Sequence, residues 1–571
     1  MDHRLSRPGN WILGALLCIG AASVHGQSYD YIYRGGTIYD GSGNPPYLGD
    51  LAVRDDRIAA IGQIESNAQG RVIDATGLAL APGFINMLSW AAVPLLQDGR
   101  SLGDIHQGVT LEVFGEGNSE GPISQAMIEV ATARQGDFKY DIAWRTLGEF
   151  LDYLADKGVS PNIASFVGAA TVRVHELGYE NRAPNQTELK NMQNLVHEAM
   201  LDGALGVGSA LIYAPAFYAS TEELIALQQT AARSGGMYIS HMRSEGARIL
   251  PAIDELIRIA RETQSRAEIY HLKIAGKENW HKFPQVIERI TRARERGLEI
   301  TANMYTYTAG STGLDAAMPP WAQEGGLEAW ISRLRDAKTR AQIAAAMITP
   351  TDDWENLMRA AGADQTLLVG FKNPELRHLI GKTLDAVARE RGQPPHEAAI
   401  DLVIEDGSRV QVIYFLMADE HVKRITALPW VSFGSDAGSL APEGLFLNSS
   451  THPRAYGNFA RLLGKYVREE RALSLASAIH KLTKLPATNL RLRERGELQI
   501  GFYADVIAFD PATVQDRASY DKPHQLAVGV QHMLVNGVPV LMRGKHTGAL
   551  PGRVVRGPGW RGWSSLDKSN P

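Results

Sequence analysis

Residues 237–276 read MYISHMRSEG, ARILPAIDELIRIARETQ, SR and AEIYHLKIAG, which is an apolar run, a longer mixed segment and a second apolar run. Short runs rich in Ile and Tyr predict buried strands, and the segment between them predicts a helix. Two strands joined by one helix in this way lie parallel in the same sheet. The pattern continues in FPQVIERITRARERG at 283–297 and LEITANMYTYTAG at 298–310. About 400 residues alternate like this, so we expect an α/β fold with a closed (β/α)8 barrel of the TIM type.

The two ends of the chain have a different residue pattern from the middle. Residues 27–80 and 495–571 contain short alternating strands and turns, such as YDYIYRGGTIYDGSG near the start and GELQIGFYADVIAFDP near the end. Each end is too small to bury a core by itself. We therefore expect the ends to pair as one small β-sandwich beside a barrel domain at 81–494.

The alternation of strands and helices fails after Gly310. Residues from about 312 to about 375 have a largely helical, charged pattern, which predicts an insertion over the mouth of the barrel. Such an insertion can act as a lid or serve as a packed helical addition, and the residues do not distinguish these two roles.

Composition narrows the functional classes. The 571 residues have a formal net charge of −5 and a pI near 6.4, without a long basic run, which argues against nucleic acid as a partner. Arg4 and Arg7, the apolar run 11–22 and the small residues up to Gly26 predict a secretory signal peptide at 1–26. That run is too short to span a membrane, and no later segment has about 18 uninterrupted apolar residues. We therefore expect an exported protein, periplasmic or secreted, without a membrane span.

Four polar residues stand where predicted barrel strands end, which is where the catalytic groups of such barrels lie. They are Glu116 after VTLEVF, His241 after MYIS, His271 after AEIY and Asp436 after WVSFGS. The 30-residue spacing of the two histidines places them on neighbouring strands, facing one centre. Two histidines and one carboxylate form a known catalytic zinc arrangement with a fourth position for water. A further aspartate can accept the proton of that water.

Each of these residues also has a structural interpretation. A histidine at a strand end is often a hydrogen-bonded structural residue, and an acid in the Gly-rich turn GEGNSEGP around Glu116 is often exposed. Asp436, in GSDAG, can cap a following helix. The only cysteine, Cys18, lies inside the predicted signal peptide. A metal site in the mature chain must therefore use His, Asp, Glu or Lys.

Long motifs around these positions resemble one enzyme family. They are YRGGTIYDG, QGVT, GALGVGSALIYAPAFYASTEEL, YISHMRSEG, YHLKIAGKENW, YTYTAGSTGL, PPWAQEGG, FGSDAG, HPRAYGNFARLLGKYVREE and GFYADVIAFDP. Across nearly the whole mature chain, the sequence is similar to the N-acyl-D-amino-acid deacylases, the D-aminoacylase branch of the amidohydrolase superfamily. The family fold is a (β/α)8 barrel with a small β-sandwich built from both chain ends.

The resemblance implies roles for individual residues. His241 and His271 would ligate a tightly held zinc ion, and Asp436 would be the catalytic acid and base. The resemblance also implies residues that hold the carboxylate of the substrate, for which a cation and hydroxyls are suitable partners. These are Lys273, Tyr305 and Ser311, with Arg243 and Arg454 as further candidates.

The stretch APGFINMLSW at 81–90 departs from the family pattern. Leu88 and Trp90 replace the His-x-His pair that binds a second, weakly held metal, and a cysteine that often ligates zinc is also missing. Glu116 is the natural substitute for that cysteine, so the resemblance implies one zinc ion per chain. In a rival interpretation Glu116 only shapes its turn, and zinc rests on two histidines with water or another acid. Leu88 and Trp90 are expected to add apolar bulk that reshapes the pocket.

The expected activity is zinc-dependent hydrolysis of the amide bond of a small molecule, an N-acyl-D-amino acid, which yields a carboxylic acid and a D-amino acid. Two alternatives remain open from the sequence. The chain can be an amidohydrolase that acts on peptides or other amides. It can also be a non-catalytic binding protein that kept the pocket, since the His-x-His pair is lost. The acyl group, the preferred chirality and the oligomeric state are left open.

Overall fold

A computed structural model describes residues 27–563. The predicted signal peptide at 1–26 lies outside the described residues. Within 27–563, no helix has the length and apolar character needed to cross a membrane.

The described chain alternates between strands and helices through its middle. The strands are β1 (Ser28–Ile38), β2 (Tyr47–Arg54), β3 (Arg57–Gly62), β4 (Gln69–Asp74), β5 (Ala79–Pro82), β6 (Phe84–Asn86), β7 (Val109–Phe114), β8 (Asn162–Ser165), β9 (Val167–Gly168), β10 (Gly206–Ala210), β11 (Met237–His241), β12 (Ala267–Ile269), β13 (Ile300–Met304), β14 (Ala309–Gly313), β15 (Thr366–Gly370), β16 (Gln411–Phe415), β17 (Val431–Phe433), β18 (Val506–Phe509), β19 (Val530–Val535), β20 (Val538–Met542) and β21 (Lys545–His546).

The α-helices of the described chain are also numbered in chain order. They are α1 (Ala92–Gln97), α2 (Leu102–Ile105), α3 (Gln125–Arg134), α4 (Leu147–Lys157), α5 (Ala169–Leu177), α6 (Gln186–Leu201), α7 (Thr221–Ala232), α8 (Ile249–Thr263), α9 (Phe283–Glu295), α10 (Leu327–Arg335), α11 (Ala337–Ile348), α12 (Leu357–Ala361), α13 (Leu384–Glu390), α14 (Pro395–Asp406), α15 (Asp419–Ala427), α16 (Arg454–Arg461), α17 (Leu475–Leu482) and α18 (Lys484–Leu490).

Eight parallel strand positions form the barrel, which confirms the predicted fold class. The strands β6, β7 and β8 pair in order, and β9, β10, β11, β12, β13 and β17 continue the series, with β8 and β9 as two parts of one position. The ring closes between its first and last strands. Met87 N–H donates to Phe433 O at 3.1 Å, and Asp436 N–H donates to Leu88 O at 2.8 Å.

The barrel strands are buried on both faces, as expected of parallel strands covered by helices. Helix α8 shows how the outer layer is fixed. Its buried positions recur every three or four residues and form one apolar stripe that faces the strands, while its charged residues face outward. The buried residues of the stripe are Ile249, Ala252, Ile253, Leu256, Ile259, Ala260 and Thr263.

The two chain ends meet in one nine-stranded sheet. Its order is β21, β20, β19, β18, β5, β1, β2 and β3, with β4 paired to β1. The junction is the antiparallel pairing of β5 with β18, which joins residues 79–82 to residues 506–509. Side chains of both ends, such as Tyr33, Leu51 and Val506, share one buried cluster.

The segment between β13 and β17 is longer and more mixed than the predicted helical insertion at about 312–375. It contains the helices α10 to α14 and a three-stranded antiparallel sheet in which β16 lies between β14 and β15. The sequence signal for β14 is weak because it reads AGSTG, in which the Ala and two Gly residues have low strand preference. Residues of this segment line the cavity at the carboxyl end of the barrel.

Candidate active site

The four predicted strand-end residues lie together at the carboxyl end of the barrel. Glu116 follows β7, His241 ends β11, His271 follows β12 and Asp436 follows β17. All four line one cavity of about 700 Å³. The fold therefore brings together residues that are far apart in the chain, at the face where barrel enzymes carry out their chemistry.

The turn around Glu116 directs its side chain inward. Gly115 and Gly117 on either side have φ values of +105° and +69°, which residues with a side chain rarely adopt. A Cβ atom at Gly115 would lie 2.4 Å from Phe166 O, and one at Gly117 would lie 2.6 Å from the Cβ of Ala210. The Gly-rich turn thus presses against two neighbouring strands and leaves Glu116 buried. The interpretation of Glu116 as an exposed acid in this turn is wrong.

Three donor atoms converge beside this turn. Glu116 Oε1 lies 3.2 Å from His241 Nδ1 and 2.8 Å from His271 Nε2. Within residues 27–563, this is the one group of three or more His, Cys, Asp or Glu side chains with the spacing of a metal site. Burial would raise the pKa of Glu116, but the facing imidazoles of His271 and His241 lower it below its ordinary range. The carboxylate is therefore ionised and ready to act as a ligand.

The geometry of these three residues fits a zinc ion. Ligands bound tetrahedrally at about 2.1 Å are separated by about 3.4 Å. The observed separations of 3.2 Å and 2.8 Å are shorter, so the donors would move slightly apart to admit the ion. His241 Nε2 is buried and has no hydrogen-bond partner within the described chain, with Glu245 Oε2 at 3.7 Å. This is not the ring nitrogen that faces Glu116, so it is not one of the three converging donor atoms.

Glu245 and Lys273 contact His271 at Nδ1, the ring nitrogen that faces away from Glu116. Glu245 Oε1 is 2.9 Å from His271 Nδ1 and 2.6 Å from Lys273 Nζ, and Lys273 Nζ is 2.7 Å from the same imidazole nitrogen. Both groups contact this ring nitrogen, and together they fix the orientation of the imidazole. Burial would raise the pKa of Glu245, but Lys273 and the two histidines lower it. Lys273, predicted to bind the substrate carboxylate, is here paired with Glu245.

Asp436 occupies a left-handed backbone conformation with a φ of +50°. Its carboxylate Oδ2 lies 2.9 Å from Arg454 Nη1, and the Asp436 side chain is 12% exposed. Burial raises the pKa of Asp436 above its ordinary value, and Glu116 adds to this effect, whereas Arg454 opposes it. Asp436 faces the cavity and makes its side-chain contacts there, so the interpretation as a helix cap has no support in the structure.

Trp90 contacts both carboxylates of the site. Its indole Nε1 lies 3.0 Å from Glu116 Oε2 and 3.2 Å from Asp436 Oδ1. Trp90 is therefore more than the apolar bulk expected from the sequence, because its indole N–H is a hydrogen-bond donor. Leu88 does not face the cavity at all: it is buried in the barrel core with Ile85 and Ile239.

The remaining predicted substrate contacts fall into two groups. Arg454 is 2% exposed, lies over the Tyr305 ring at 4.4 Å and reaches Ser311 O at 3.5 Å, so these three residues line one side of the cavity. Arg243 lies elsewhere. Its guanidinium is held by Glu255 at 2.9 Å and by two backbone carbonyls, and it lines a separate cavity of about 340 Å³. The candidate role of Arg243 in this site is therefore wrong.

Sequence reasoning missed several residues of the cavity. Glu245 stands in the motif SHMRSEG, four residues after His241, and this spacing next to a candidate ligand was a usable signal. Arg409 and Asp315 form an ion pair at 2.9 Å on the inserted segment, far from any strand-end motif. No local pattern marks such residues, because the fold of the insertion alone brings them to the cavity.

A (β/α)8 barrel whose strand ends bring together two histidines and a carboxylate able to hold a metal ion, with a separate aspartate beside them, is typical of metal-dependent hydrolases. The sequence profile of the amidohydrolase family matches residues 147–541. The chain belongs to this family.

Named relatives define its branch. The D-aminoacylase of Alcaligenes xylosoxydans xylosoxydans is 33% identical over 93% of this chain and 98% of its own length. The N-acyl-D-aspartate deacylase of the same organism is 34% identical over 92% of this chain and 95% of its own length. The crystal structure of N-acyl-D-glutamate deacylase from Bordetella bronchiseptica superimposes with a TM-score of 0.78 at 30% identity, over 93% of this chain and all of that one. That structure contains zinc and a phosphonate inhibitor that mimics the tetrahedral intermediate of the reaction.

Proposed function

We propose that this protein hydrolyses the amide bond of N-acyl-D-amino acids with one zinc ion per chain, releasing a carboxylic acid and a D-amino acid. The observation that carries the proposal is the arrangement of Glu116, His241 and His271 around one point, with Asp436 beside them in the same cavity. The names of three relatives, each 30% or more identical to this chain, support the substrate class.

Glu116, His241 and His271 would hold the zinc ion. Bound there, zinc would supply a Lewis acid that polarises the amide carbonyl and makes water a stronger acid. Asp436 accepts a proton from the attacking water and returns it to the leaving amine nitrogen. The raised pKa of Asp436 suits both steps, because a carboxyl group that is too acidic would not donate the proton again.

The side of the cavity that carries Arg454, Tyr305 and Ser311 is proposed to bind the carboxylate of the substrate. Arg454 offers the positive charge, and its Nε has no hydrogen-bond partner within the described part of the chain. Because the same guanidinium pairs with Asp436, a carboxylate bound by Arg454 would lie next to the proposed proton acceptor. Because Lys273 is committed to Glu245, its proposed contribution is to hold His271 in place.

A screen of matched enantiomers tests the reaction. Purified protein loaded with zinc is incubated with the N-acetyl-D and N-acetyl-L forms of one amino acid and with an unblocked dipeptide, and the released amine is measured. We expect release from the D form and a much lower kcat/KM for the other two. Turnover of the dipeptide alone would favour the peptide-hydrolase alternative, and no turnover with zinc bound would favour the non-catalytic one.

Export to the periplasm or the medium is a further part of the proposal. Support comes from the sequence at 1–26, where arginines precede an apolar run and small residues. N-terminal sequencing of the natively expressed protein should begin near Gln27. An N-terminus at Met1 would contradict it.

A further inference from the structure

His452 and Arg454 connect the carboxyl end of the barrel to the three-stranded sheet of the insertion. The strand β14 lies at the edge of that sheet, where it pairs with β16 on one side. His452 Nε2 lies 2.9 Å from Ala309 O of β14, and Arg454 Nη2 lies 3.5 Å from Ser311 O of the same strand. Two alternate carbonyls of one edge strand are thus met by two residues of the motif HPRAYGNF.

The contacts of His452 define one tautomer of its imidazole. Its Nδ1 accepts the backbone N–H of Arg454 at 3.0 Å, and an accepting ring nitrogen carries no hydrogen. Ala309 O is itself an acceptor, so Nε2 of the same ring carries the hydrogen and donates it. Burial lowers the pKa of His452 well below its ordinary value, and Arg454 adds to this effect, so the ring is neutral.

The imidazole of His452 is also enclosed by aromatic rings. The residue is 2% exposed, and its ring meets that of Tyr307 edge-on at 5.3 Å and that of Tyr520 at 5.2 Å. A ring packed this closely cannot turn unless its neighbours move. One rigid side chain therefore ties the backbone of Arg454 to β14.

Arg454 is the first residue of α16, and the N–H groups of a first helical turn have no acceptor inside the helix. His452 Nδ1 supplies that acceptor for Arg454. From this point the side chain of Arg454 extends over the ring of Tyr305 to Asp436, where its Nη1 lies 2.9 Å from Oδ2. The backbone and the guanidinium of Arg454 are thus held at separate places.

We propose that His452 is a positioning residue that holds Arg454 against Asp436, because its imidazole bridges the start of α16 to the carbonyl of Ala309 in the insertion. The consequence for turnover rests on the proposed function, in which Arg454 binds the substrate carboxylate and Asp436 transfers a proton. The consequence for the distance between Arg454 and Asp436 does not depend on it.

The exchange His452→Ala removes the bridge and tests the proposal. Crystal structures of the variant and the wild type give the distance from Arg454 Nη1 to Asp436 Oδ2 without substrate. Steady-state kinetics on the N-acetyl-D-amino acid of the enantiomer screen give kcat and KM separately. The same assay repeated across pH gives the position of the acidic limb of the kcat profile.

His524→Ala is the matched control. His524 also uses both ring nitrogens, with Nε2 at 2.9 Å from Ser449 O and Nδ1 at 3.0 Å from Tyr456 Oη. It therefore braces the same part of the chain as His452, but from outside the cavity. We expect this control to keep the wild-type distance, KM and acidic limb.

In His452→Ala we expect the distance between Arg454 Nη1 and Asp436 Oδ2 to exceed about 4 Å, the limit for an ion pair. A misplaced guanidinium binds the substrate carboxylate less well, so KM should rise while kcat falls. The loss in kcat/KM should be on the order of 10²-fold, the scale expected when a positioning contact far from the reacting atoms is lost.

The acidic limb of the kcat profile should move up by about one pH unit in His452→Ala. Asp436 must be ionised to accept a proton, and the nearby cation Arg454 favours its ionised form. When Arg454 moves away, the pKa of Asp436 rises and higher pH is needed for turnover. The exchange leaves in place the other charged or titratable groups that act on Asp436, which are Glu116, His271 and Lys273.

If His452→Ala does not fold, His452→Asn replaces it. The amide oxygen of asparagine can accept the Arg454 N–H, but the side chain lacks the far ring nitrogen that reaches Ala309 O. We expect changes of the same direction and smaller size. A changed distance with wild-type kinetics would support the bridge and refute the roles given to Arg454 and Asp436.

Three results would overturn the proposal. The first is a folded His452 variant with the wild-type distance from Arg454 to Asp436. The second is a loss of activity at unchanged KM and unchanged acidic limb, which a purely structural role would produce. The third is an equal shift in His524→Ala, which would assign the effect to general loosening of residues 449–456. If the wild type shows no turnover, the proposed function fails and the crystallographic distance still decides this proposal.

Discussion

Glu245 holds His271 from behind: its Oε1 lies 2.9 Å from His271 Nδ1, and the Nε2 atom of the same ring points to Glu116. The imidazole is thereby fixed in orientation, with its Nε2 directed at the metal position. The buried ammonium of Lys273, 2.6 Å from Glu245, balances the charge of this carboxylate. Metal affinity should therefore depend on residues that never touch the metal.

Glu245→Gln should weaken zinc binding by about 10–100-fold, the usual cost of losing a partner of a metal-bound histidine. The amide is neutral and leaves the buried charge of Lys273 unbalanced. Competition with a chromophoric chelator measures the dissociation constant. Glu328→Gln, at an exposed position of α10, is the matched control and should bind zinc like the wild type. Unchanged affinity in Glu245→Gln would show that Glu245 does not support His271.

Glu116→Ala should lose both zinc and activity, because the carboxylate is one of three donors at the metal position. Dialysis against metal-free buffer followed by elemental analysis measures the retained zinc. Wild type should keep close to one ion per chain under the same treatment. A Glu116→Ala protein that retained its full zinc would decide for the rival interpretation, in which two histidines and another group suffice.

Asp436→Asn should leave zinc in place and reduce turnover on the order of 10²–10⁴-fold, the scale expected for loss of a general acid and base. Asparagine is the suitable replacement because it tolerates the left-handed backbone conformation found at this position. The checks are kcat on an N-acyl-D-amino acid and zinc content of the same sample. Activity within a few-fold of wild type would assign the proton transfer to a different group.

Glu355 on the inserted segment gives a pH-dependent prediction. Its Oε2 accepts the backbone N–H of Glu245 at 2.7 Å, and burial, with Glu245 nearby, raises the pKa of Glu355 from 4.5 to about 8. Between these values the folded protein binds a proton that the unfolded chain has released, so stability falls as pH rises through this window. Glu355→Gln removes this pH-dependent loss and should add about 4 kcal/mol to the free energy of unfolding at pH 8 relative to wild type.

Denaturant unfolding of the Glu355→Gln and wild-type proteins at pH 5, 6.5 and 8 is the measurement. The difference between the two proteins should be small at pH 5 and grow towards pH 8. A difference that is constant with pH would mean that the carboxyl group of Glu355 titrates alike in the folded and unfolded chains.

Leu88→Ala should destabilise the protein and leave substrate preference unchanged, which differs from the expectation drawn from the sequence. Leu88 is 1% exposed inside the barrel core, and a buried Leu→Ala change costs about 2–5 kcal/mol. Thermal unfolding measures the loss, and relative kcat/KM values for two N-acyl-D-amino acids measure the preference. An altered preference at wild-type stability would place Leu88 in contact with substrate.

Much of the site could be predicted because barrel geometry places strand ends together. Knowing that His241 and His271 end neighbouring strands is enough to bring their side chains to one centre, and the same holds for Glu116 and Asp436. The role of Leu88 could not be predicted in this way. The family motif indicates where the backbone at residue 88 passes. The direction of the leucine side chain that stands there in place of histidine depends on its packing with Ile85 and Ile239.

The contacts of Trp90, Lys273 and Arg243 show a second limit of prediction from the sequence. The sequence gives only the general character of each residue, which is apolar bulk for Trp90 and a cation for an anionic substrate for Lys273 and Arg243. The structure gives each one a specific partner, which is a carboxylate pair, Glu245 and Glu255 respectively. Long side chains that carry hydrogen-bond donors bond to the acceptors that the fold brings near them, and the sequence alone does not give those distances.

Asp436 lies at the seam of the barrel, where the last strand meets the first, and its backbone N–H donates to Leu88 O across that seam. A ribosome releases Glu116, His241 and His271 before β17, so a nascent or truncated chain can possess every metal ligand while the seam is still open. Such a chain lacks the proton acceptor and the indole contact that spans it. Under the proposed mechanism, hydrolysis therefore requires a chain that extends through β17 to Asp436 and has closed this junction.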